Sequence, residues 1–298
     1  MIQPKSFYEG FQINHYDIKQ INNKYLLDMS DDEIEKVTSK LIKSSKEEFL
    51  RSVKMDVRFT YLLAIETLFE IIFALIPDDP KLNDHQILRF LTKRANHYED
   101  IRCYANSEPS KLDTLDGKAV LNNGEESSLW HYMLYLGLGG DEYRTSIDES
   151  LKAIQKALKL FAKDLSDRDE LNGYKHGLRG IRHMVSFQTS PKGSPEKQYL
   201  NFHTNDALSF YSFDSKSEEH VIKTMEFDSD RDINMTHLAS NILYCIIEPR
   251  KYIYGNKIGE EIRYIYFKEE DLDKASKPNV KFQNMIFRYK VDETKSEQ

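Results

Sequence analysis

From Leu171 through Pro195 the chain carries no acidic residue, and within that window Asn172, His176 and Arg179 recur at helical spacing. At about 100° per residue, Arg168, Asn172, His176, Arg179 and His183 share an arc of about 80°, with Lys175 and Arg182 flanking it. Guanidinium and ammonium groups hold phosphate through charge-assisted, often bidentate hydrogen bonds. Imidazoles titrate near neutrality and can move protons. Phosphate binding coupled to proton transfer is the chemistry that this face could do. A solvated polar face opposite a core stripe would have the same pattern.

The elements that must position these residues follow from the rest of the window. Leu171, Tyr174, Leu178, Ile181 and Val185 fall on a second arc of about 80°, which reads as a core stripe and predicts a helix over roughly 167–187. Gly173, Gly177 and Gly180 form a third stripe. Interior helical glycine costs about 1 kcal/mol relative to alanine. Three on one side imply close approach of another helix or of a ligand.

The run Asn172-Gly173-Tyr174-Lys175-His176-Gly177 is similar to the N-x-x-K-H-G run of some members of the HEPN superfamily, and at this helix the sequence resembles that superfamily. The resemblance covers about residues 31–187. It implies a bundle of four or five helices and, in many members, metal-independent ribonuclease activity in bacterial stress or defence systems. By that resemblance the RNA 2′-hydroxyl would be the nucleophile and His176 would transfer the proton. Arg179, helped by Lys175 or Arg168, would stabilise charge on phosphorus, and Asn172 would orient the ribose or the imidazole. Arg182 and His183 would extend the phosphate contacts, and no cofactor or metal is implied. The chain departs from the superfamily's usual arginine-to-histidine spacing. Arg168 and His176 stand too far apart, and Arg179 and His183 too close.

Three other groupings carry possible chemistry. Glu66 and Glu70 lie one turn apart on the most apolar helix, where buried carboxylates would need partners. Either they form a structural ion pair with a neighbouring arginine, or they orient Arg179 or His176. Arg94-Ala95-Asn96-His97 is a second histidine-containing helical patch, either a plain surface or a contribution across the bundle. Lys274, Lys277, Lys281, Arg288 and Lys290 form a second acid-free basic stretch. It reads as an edge strand protected by lysines, or as an RNA track on which Tyr266, Phe282 and Phe287 offer stacking surfaces.

Composition sets the background. Of 298 residues, 42 are basic and 49 acidic, a net charge of −7 that excludes a generally basic nucleic-acid coat. The acid-free window carries +4 through Lys175, Arg179, Arg182 and Lys192, so the remainder carries −11. At 40% hydrophobic and 12% aromatic, the chain can bury a sizeable core and is not disordered as a whole. Cys103 and Cys245 offer neither a disulfide scaffold nor a paired-cysteine metal site, and reduced thiols in a cytoplasmic protein are expected. The longest apolar stretch, Tyr61–Ile76, spans about 24 Å as a helix against about 30 Å of hydrocarbon, so no membrane span is expected. Metalloprotease, P-loop, dinucleotide-binding and nucleophile-elbow motifs are missing from the sequence, as are the Glu-x-x-His pairs of a di-iron bundle.

The expected fold is mainly α: a helical bundle, a small antiparallel β-meander after the central helix, and a mixed α+β C-terminal segment. Residues 1–29 read as an extended arm, 30–190 as the bundle, and 191–298 as the α+β segment packed on it. Capping boxes at Ser30/Glu33 and Ser146/Glu149 mark two helix starts, and a helix opened by Asp84 runs to Ile101. Gln198–His203, Ala207–Phe213 and His220–Phe227 form the meander, with further strands at Ile262–Phe267 and Lys281–Lys290. Two functions stay open: an RNA- or nucleotide-binding protein, with metal-independent ribonuclease activity as its enzymatic form, or a non-catalytic protein-interaction module, with a homodimer as one partnership.

Overall fold

A computed structural model describes residues 4–40, 45–76, 82–93, 97–120, 124–166, 180–181, 186–189, 200–203, 207–214, 217–226, 228–255, 261–278 and 284–289. In chain order the helices are α1 (Pro4–Gly10), α2 (His15–Leu27), α3 (Asp31–Thr38), α4 (Lys46–Leu75), α5 (Ile87–Thr92), α6 (Tyr98–Ala105), α7 (Leu129–Tyr135), α8 (Asp141–Leu165), α9 (Ser229–Gly255) and α10 (Glu269–Ser276). The strands are β1 (Lys118–Val120), β2 (Glu126–Ser128), β3 (Gly180–Ile181), β4 (Ser186–Thr189), β5 (Leu200–His203), β6 (Ala207–Asp214), β7 (Glu219–Glu226) and β8 (Asn284–Tyr289). The protein is mainly α-helical with small antiparallel sheets, as the sequence predicts. No helix among the described residues is long and apolar enough to cross a membrane.

The chain forms two compact units, each from non-contiguous segments. The first comprises residues 1–20, 60–166 and 233–277; the second comprises 21–59, 167–232 and 278–298. These boundaries do not follow the three consecutive blocks expected from the sequence.

Among its described residues the first unit is helical apart from the short β1–β2 pair, two 3₁₀ turns and irregular connections. Its buried side chains include Tyr61, Ile65, Leu68 and Ile72 of the second half of α4, Ile154, Leu158 and Phe161 of α8, and Ile242, Leu243 and Ile246 of α9, with the Tyr61 and Phe161 rings in contact. Such apolar recurrence every three or four residues directs one helical stripe inward. Tyr61 Oη donates to Asp164 Oδ2 at 2.6 Å. Arg250, fully buried on α9 directly after the helix-interior Pro249, donates to the Met133 carbonyl at 2.7 Å and to the Ile246 carbonyl at 2.6 Å, and pairs with Asp84.

In the second unit the larger sheet has the order β3-β6-β7-β8, antiparallel throughout. Ser209 and Thr224, opposite one another on β6 and β7, share a buried hydroxyl hydrogen bond of 2.8 Å. In the same unit, Arg58 and Asp232 form a buried ion pair at 3.1 Å, joined by Arg231 at 3.4 Å. The Ser30 capping box is formed: the Glu33 carboxylate accepts the Ser30 N–H at 2.9 Å and its hydroxyl at 2.7 Å. Those bonds hold the Glu33 carboxyl below its usual range.

Several elements differ from expectation. The N-terminal arm is helical, because Tyr8 and Ile13 are buried and reward ordering that the sequence pattern conceals. Ser146 lies inside α8, which starts at Asp141 behind Gly140. The helix expected from Asp84 to Ile101 is a 3₁₀ turn (Asp84–Gln86), α5 and α6, with Lys93 extended (ψ 108°) after α5. Within the predicted 167–187 helix, Gly180–Ile181 and Ser186–Thr189 are strands. Gly180 and Ile181 pair with Phe210 and Ser209, so sheet bonding overrides a helical pattern already weakened by glycine. β5 pairs with β4, and the third member of the β6–β7 meander is β8. Residues 262–267 are not a strand: side chains satisfy their backbone. Tyr135 Oη donates to the Ile265 carbonyl at 3.0 Å, and Ser150 Oγ accepts the Phe267 N–H at 2.8 Å.

Candidate nucleotide-binding cleft

Asn172, His176 and Arg179, with Arg168, Lys175, Arg182 and His183, lie outside the described residues, as do Arg94, Ala95 and Asn96. Glu66 and Glu70 both sit on α4, Glu66 half-buried and Glu70 exposed, so neither is a fully buried carboxylate. The Glu66 charge contributes to raising the phenol pKa of Tyr16, below the larger effect of burial. His97 lies flat on Phe73, ring centroids 4.2 Å apart and planes within 7°, and burial lowers its pKa. That is a packing role. Arg288, on the edge strand β8, is paired with Asp214 at 3.3 Å and Glu219 at 3.8 Å, as suits a charged sheet edge.

The first unit contains a cleft of about 430 Å³ that brings together residues from four segments. On α9, Asn234, His237, Leu238 and Asn241 occupy positions i, i+3, i+4 and i+7, one helical face. Ala153 of α8 joins Leu238, Ile265 and Leu272 as apolar lining. Tyr266 and Lys268 come from the irregular segment 261–268, and Asp271 and Lys274 from α10.

A directed hydrogen-bond chain fixes the aromatic wall. Phe267 N–H donates to Ser150 Oγ (2.8 Å) and Tyr135 Oη donates to the Ile265 carbonyl (3.0 Å). With its proton thus used, Tyr135 accepts the Ser150 hydroxyl at 2.6 Å. The ring of Tyr266 stacks on Tyr135, centroids 5.8 Å apart and planes within 11°, and Tyr266 remains 37% exposed. On the next helix, Lys156 clamps α10 to α8 through Glu269 at 3.2 Å and Asp273 at 2.9 Å. Those ion pairs occupy two of α10's carboxylates. Lys268 and Lys274 make no ion pair among the described residues.

His237 sits 3.5 Å from Asp17, whose carboxylate raises the imidazole pKa and favours its charged form. The cleft therefore offers an aromatic face, two amides, an imidazole and two ammonium groups over an apolar floor, against the single carboxylate of Asp271. Its volume lies within the roughly 300–1,000 Å³ of small-molecule sites. Among the described residues no group of three or more His, Cys, Asp or Glu side chains could hold a metal ion.

The sequence places Lys274 in a basic stretch that reads as a protected edge strand or as an RNA track with Tyr266 as a stacking surface, and Lys274 lies instead on the helix α10, among partners that stretch does not announce. The signal was present in the Asn234/His237/Asn241 spacing, but α9 is legible first by its apolar face. The two cysteines are unpaired, and burial pushes the Cys245 thiol to about 12, away from reactivity. Compared with protein-family models, curated proteins and solved structures, the chain has no match.

Proposed function

We propose that the protein binds RNA or a nucleotide, with the cleft between α9 and α10 accepting one nucleotide unit. The observation that carries this reading is the meeting of a pre-stacked, part-exposed Tyr266 with Lys268 and Lys274 beside the α9 amide-and-imidazole face. Every base has a π-face, and base–aromatic stacking contributes about 1–3 kcal/mol per base. Lysines supply a charge for phosphate, and Asn234 and Asn241 can each donate and accept at a base edge or ribose. Ribonuclease activity is the finer reading, supported by the acid-free window containing Asn172, His176 and Arg179.

The test is a titration of a fluorescent mononucleotide and of a short single-stranded RNA, read by anisotropy. Wild type binds; Tyr266→Ala weakens binding about 5- to 150-fold, following from the stacking magnitude. Lys268→Ala with Lys274→Ala also weakens it and flattens its salt dependence. Binding indifferent to all three changes would remove the cleft from the proposal. The ribonuclease reading predicts RNA cleavage in EDTA that His176→Ala abolishes.

Protein association is a second reading, favoured by α2, which exposes Ile18 (58%), Ile21 (67%) and Tyr25 (67%) at i, i+3 and i+7. A concentration-dependent mass in light scattering, lost in Ile21→Lys, tests it.

A further inference from the structure

A second constellation in the first unit is chemically distinct from the cleft. β2 runs directly into α7, so Ser127, in the strand, and His131, in the helix's first turn, are adjacent. Ser128 caps α7 by accepting the His131 N–H at 3.3 Å, which leaves the preceding Ser127 hydroxyl free to reach the imidazole. Ser127 Oγ lies 2.9 Å from His131 Nδ1. At the other end of α7, Leu136 adopts a left-handed conformation (φ 48°) and Gly137 follows at φ 69°. This reversal brings the Leu138 carbonyl to 2.8 Å from His131 Nε2. A carbonyl can only accept, so Nε2 carries the proton and Nδ1 presents its lone pair to the Ser127 hydroxyl.

The pair lines a small cleft of about 80 Å³ with Gly139, Gly140, Arg144 and the carboxylates of Glu125, Glu126 and Asp148, of which Glu126 is paired with Lys118 at 2.6 Å. His131 is 6% exposed, and burial lowers its pKa, which keeps it neutral near pH 7. The third member of a serine–histidine site holds the tautomer and orientation of the imidazole. Leu138 does that here. Being uncharged, it stabilises an imidazolium less than a carboxylate would, and Asp148 supplies a nearby negative charge that favours the protonated ring.

We propose that Ser127 is a nucleophile and His131 its general base, forming a site that cleaves small esters or similarly activated acyl groups. Ser127 Oγ bonds to the acyl carbon while its proton passes to His131 Nδ1. The bond from that carbon to the leaving oxygen breaks, and His131 returns the proton to the departing alkoxide. Water then attacks the acyl-serine, giving its proton to His131; the carboxylic acid leaves and Oγ is reprotonated. Arg144, in the first turn of α8, is the cation available to the developing oxyanion. The cleft holds about two or three waters' volume at roughly 30 Å³ each, which suits an acetyl-sized group.

The probes are p-nitrophenyl acetate, followed by release of nitrophenol, and a fluorophosphonate, followed by intact mass and peptide mapping. Wild type gains one fluorophosphonate adduct on Ser127 and hydrolyses the ester at least tenfold faster than Ser127→Ala. His131→Gln, checked for folding by circular dichroism, loses both activities to a similar degree. Should that variant unfold, the wild-type labelling rate against pH decides, rising through one titration below the usual histidine value and then levelling. Absence of an adduct at Ser127, hydrolysis unchanged in Ser127→Ala, or labelling that simply tracks hydroxide would overturn the proposal.

Discussion

Arg58 and Asp232 stand 174 residues apart in the chain and meet at 3.1 Å with both side chains almost wholly excluded from solvent. The gross attraction between buried charges is large, and so is the cost of removing both from water. Retention of the pair therefore says less about net stability than its disruption does. Arg58→Leu, or Asp232→Leu, removes one half of this buried pair and should lower the unfolding free energy by about 3–5 kcal/mol. The double variant should cost clearly less than the two single losses added together. Urea denaturation of the four proteins measures the coupling; strict additivity would show that the pair is not an energetic unit.

Ser150 offers a sharper test of how the cleft between α9 and α10, with the nucleotide binding proposed for it, is held. Its hydroxyl accepts from Phe267 N–H and donates to Tyr135, and Tyr135 in turn supports both the Ile265 carbonyl and the ring of Tyr266. Ser150→Ala orphans a buried N–H and should cost about 1–3 kcal/mol of stability. Because the orphaned group borders the cleft lining, nucleotide affinity should fall as well, in a protein whose helical circular dichroism is unchanged. Loss of stability with affinity intact would separate the hydrogen-bond chain from ligand binding.

Acid sensitivity has a defined sign at His97. Burial lowers its folded pKa below the usual 6.5. Above 6.5 the ring is neutral in both folded and unfolded chains, so its contribution is fully present. As pH falls below 6.5 the unfolded chain takes up the proton first, and stability is lost as pH drops through the folded value. His97→Phe keeps an aromatic ring for the Phe73 stack and removes the titration. Its melting temperature should fall less than that of wild type between about pH 7 and pH 5. Parallel curves would place the acid sensitivity elsewhere.

Tyr266 can be tested without removing its ring. Tyr266→Phe preserves the stack on Tyr135 and should leave nucleotide affinity within about threefold of wild type, whereas Tyr266→Ala should not. Equal losses in both variants would point to the phenol oxygen instead of the aromatic face.

Helices with strong local signals were legible in the sequence. Ser30 and Glu33 announce α3 and do cap it, and the apolar run after Thr60 is the buried half of α4. Where several contributions compete, the pattern was insufficient. Ser146 and Glu149 have the same spacing as Ser30 and Glu33, yet α8 already begins at Asp141, since helical propensity and a favourable acidic first turn extend it backward. Ile262–Phe267 alternates like a strand but finds its hydrogen bonds in Tyr135 and Ser150, more than 100 residues earlier. Ile181 has the spacing of a helical core residue but pairs with Ser209 on β6. The Ser127–His131 pair was invisible for a related reason. Its tautomer is set by the Leu138 carbonyl, which reaches His131 only through the left-handed turn at Leu136, and leucine does not signal such a turn.

Both compact units are discontinuous in the chain, and this has a consequence for how a ribosome delivers them. Residues 1–20 belong with 233–277, and the Gln20 amide donates to the Thr236 hydroxyl at 2.8 Å. Residues 60–166 supply early partners for that N-terminal piece, among them Thr67 for Tyr16 and Asp84 for Tyr8, but Thr236 and the rest of 233–277 come only after synthesis of more than two hundred further residues. β7 likewise has one side unpaired until β8 emerges. Growth from the N-terminus therefore offers no stage at which one unit is finished before the other has begun. Loop closure over such separations slows folding and prolongs exposure of unfinished edges. Acquisition of structure should be late and concerted, with nascent chains arrested before residue 233 remaining open to protease.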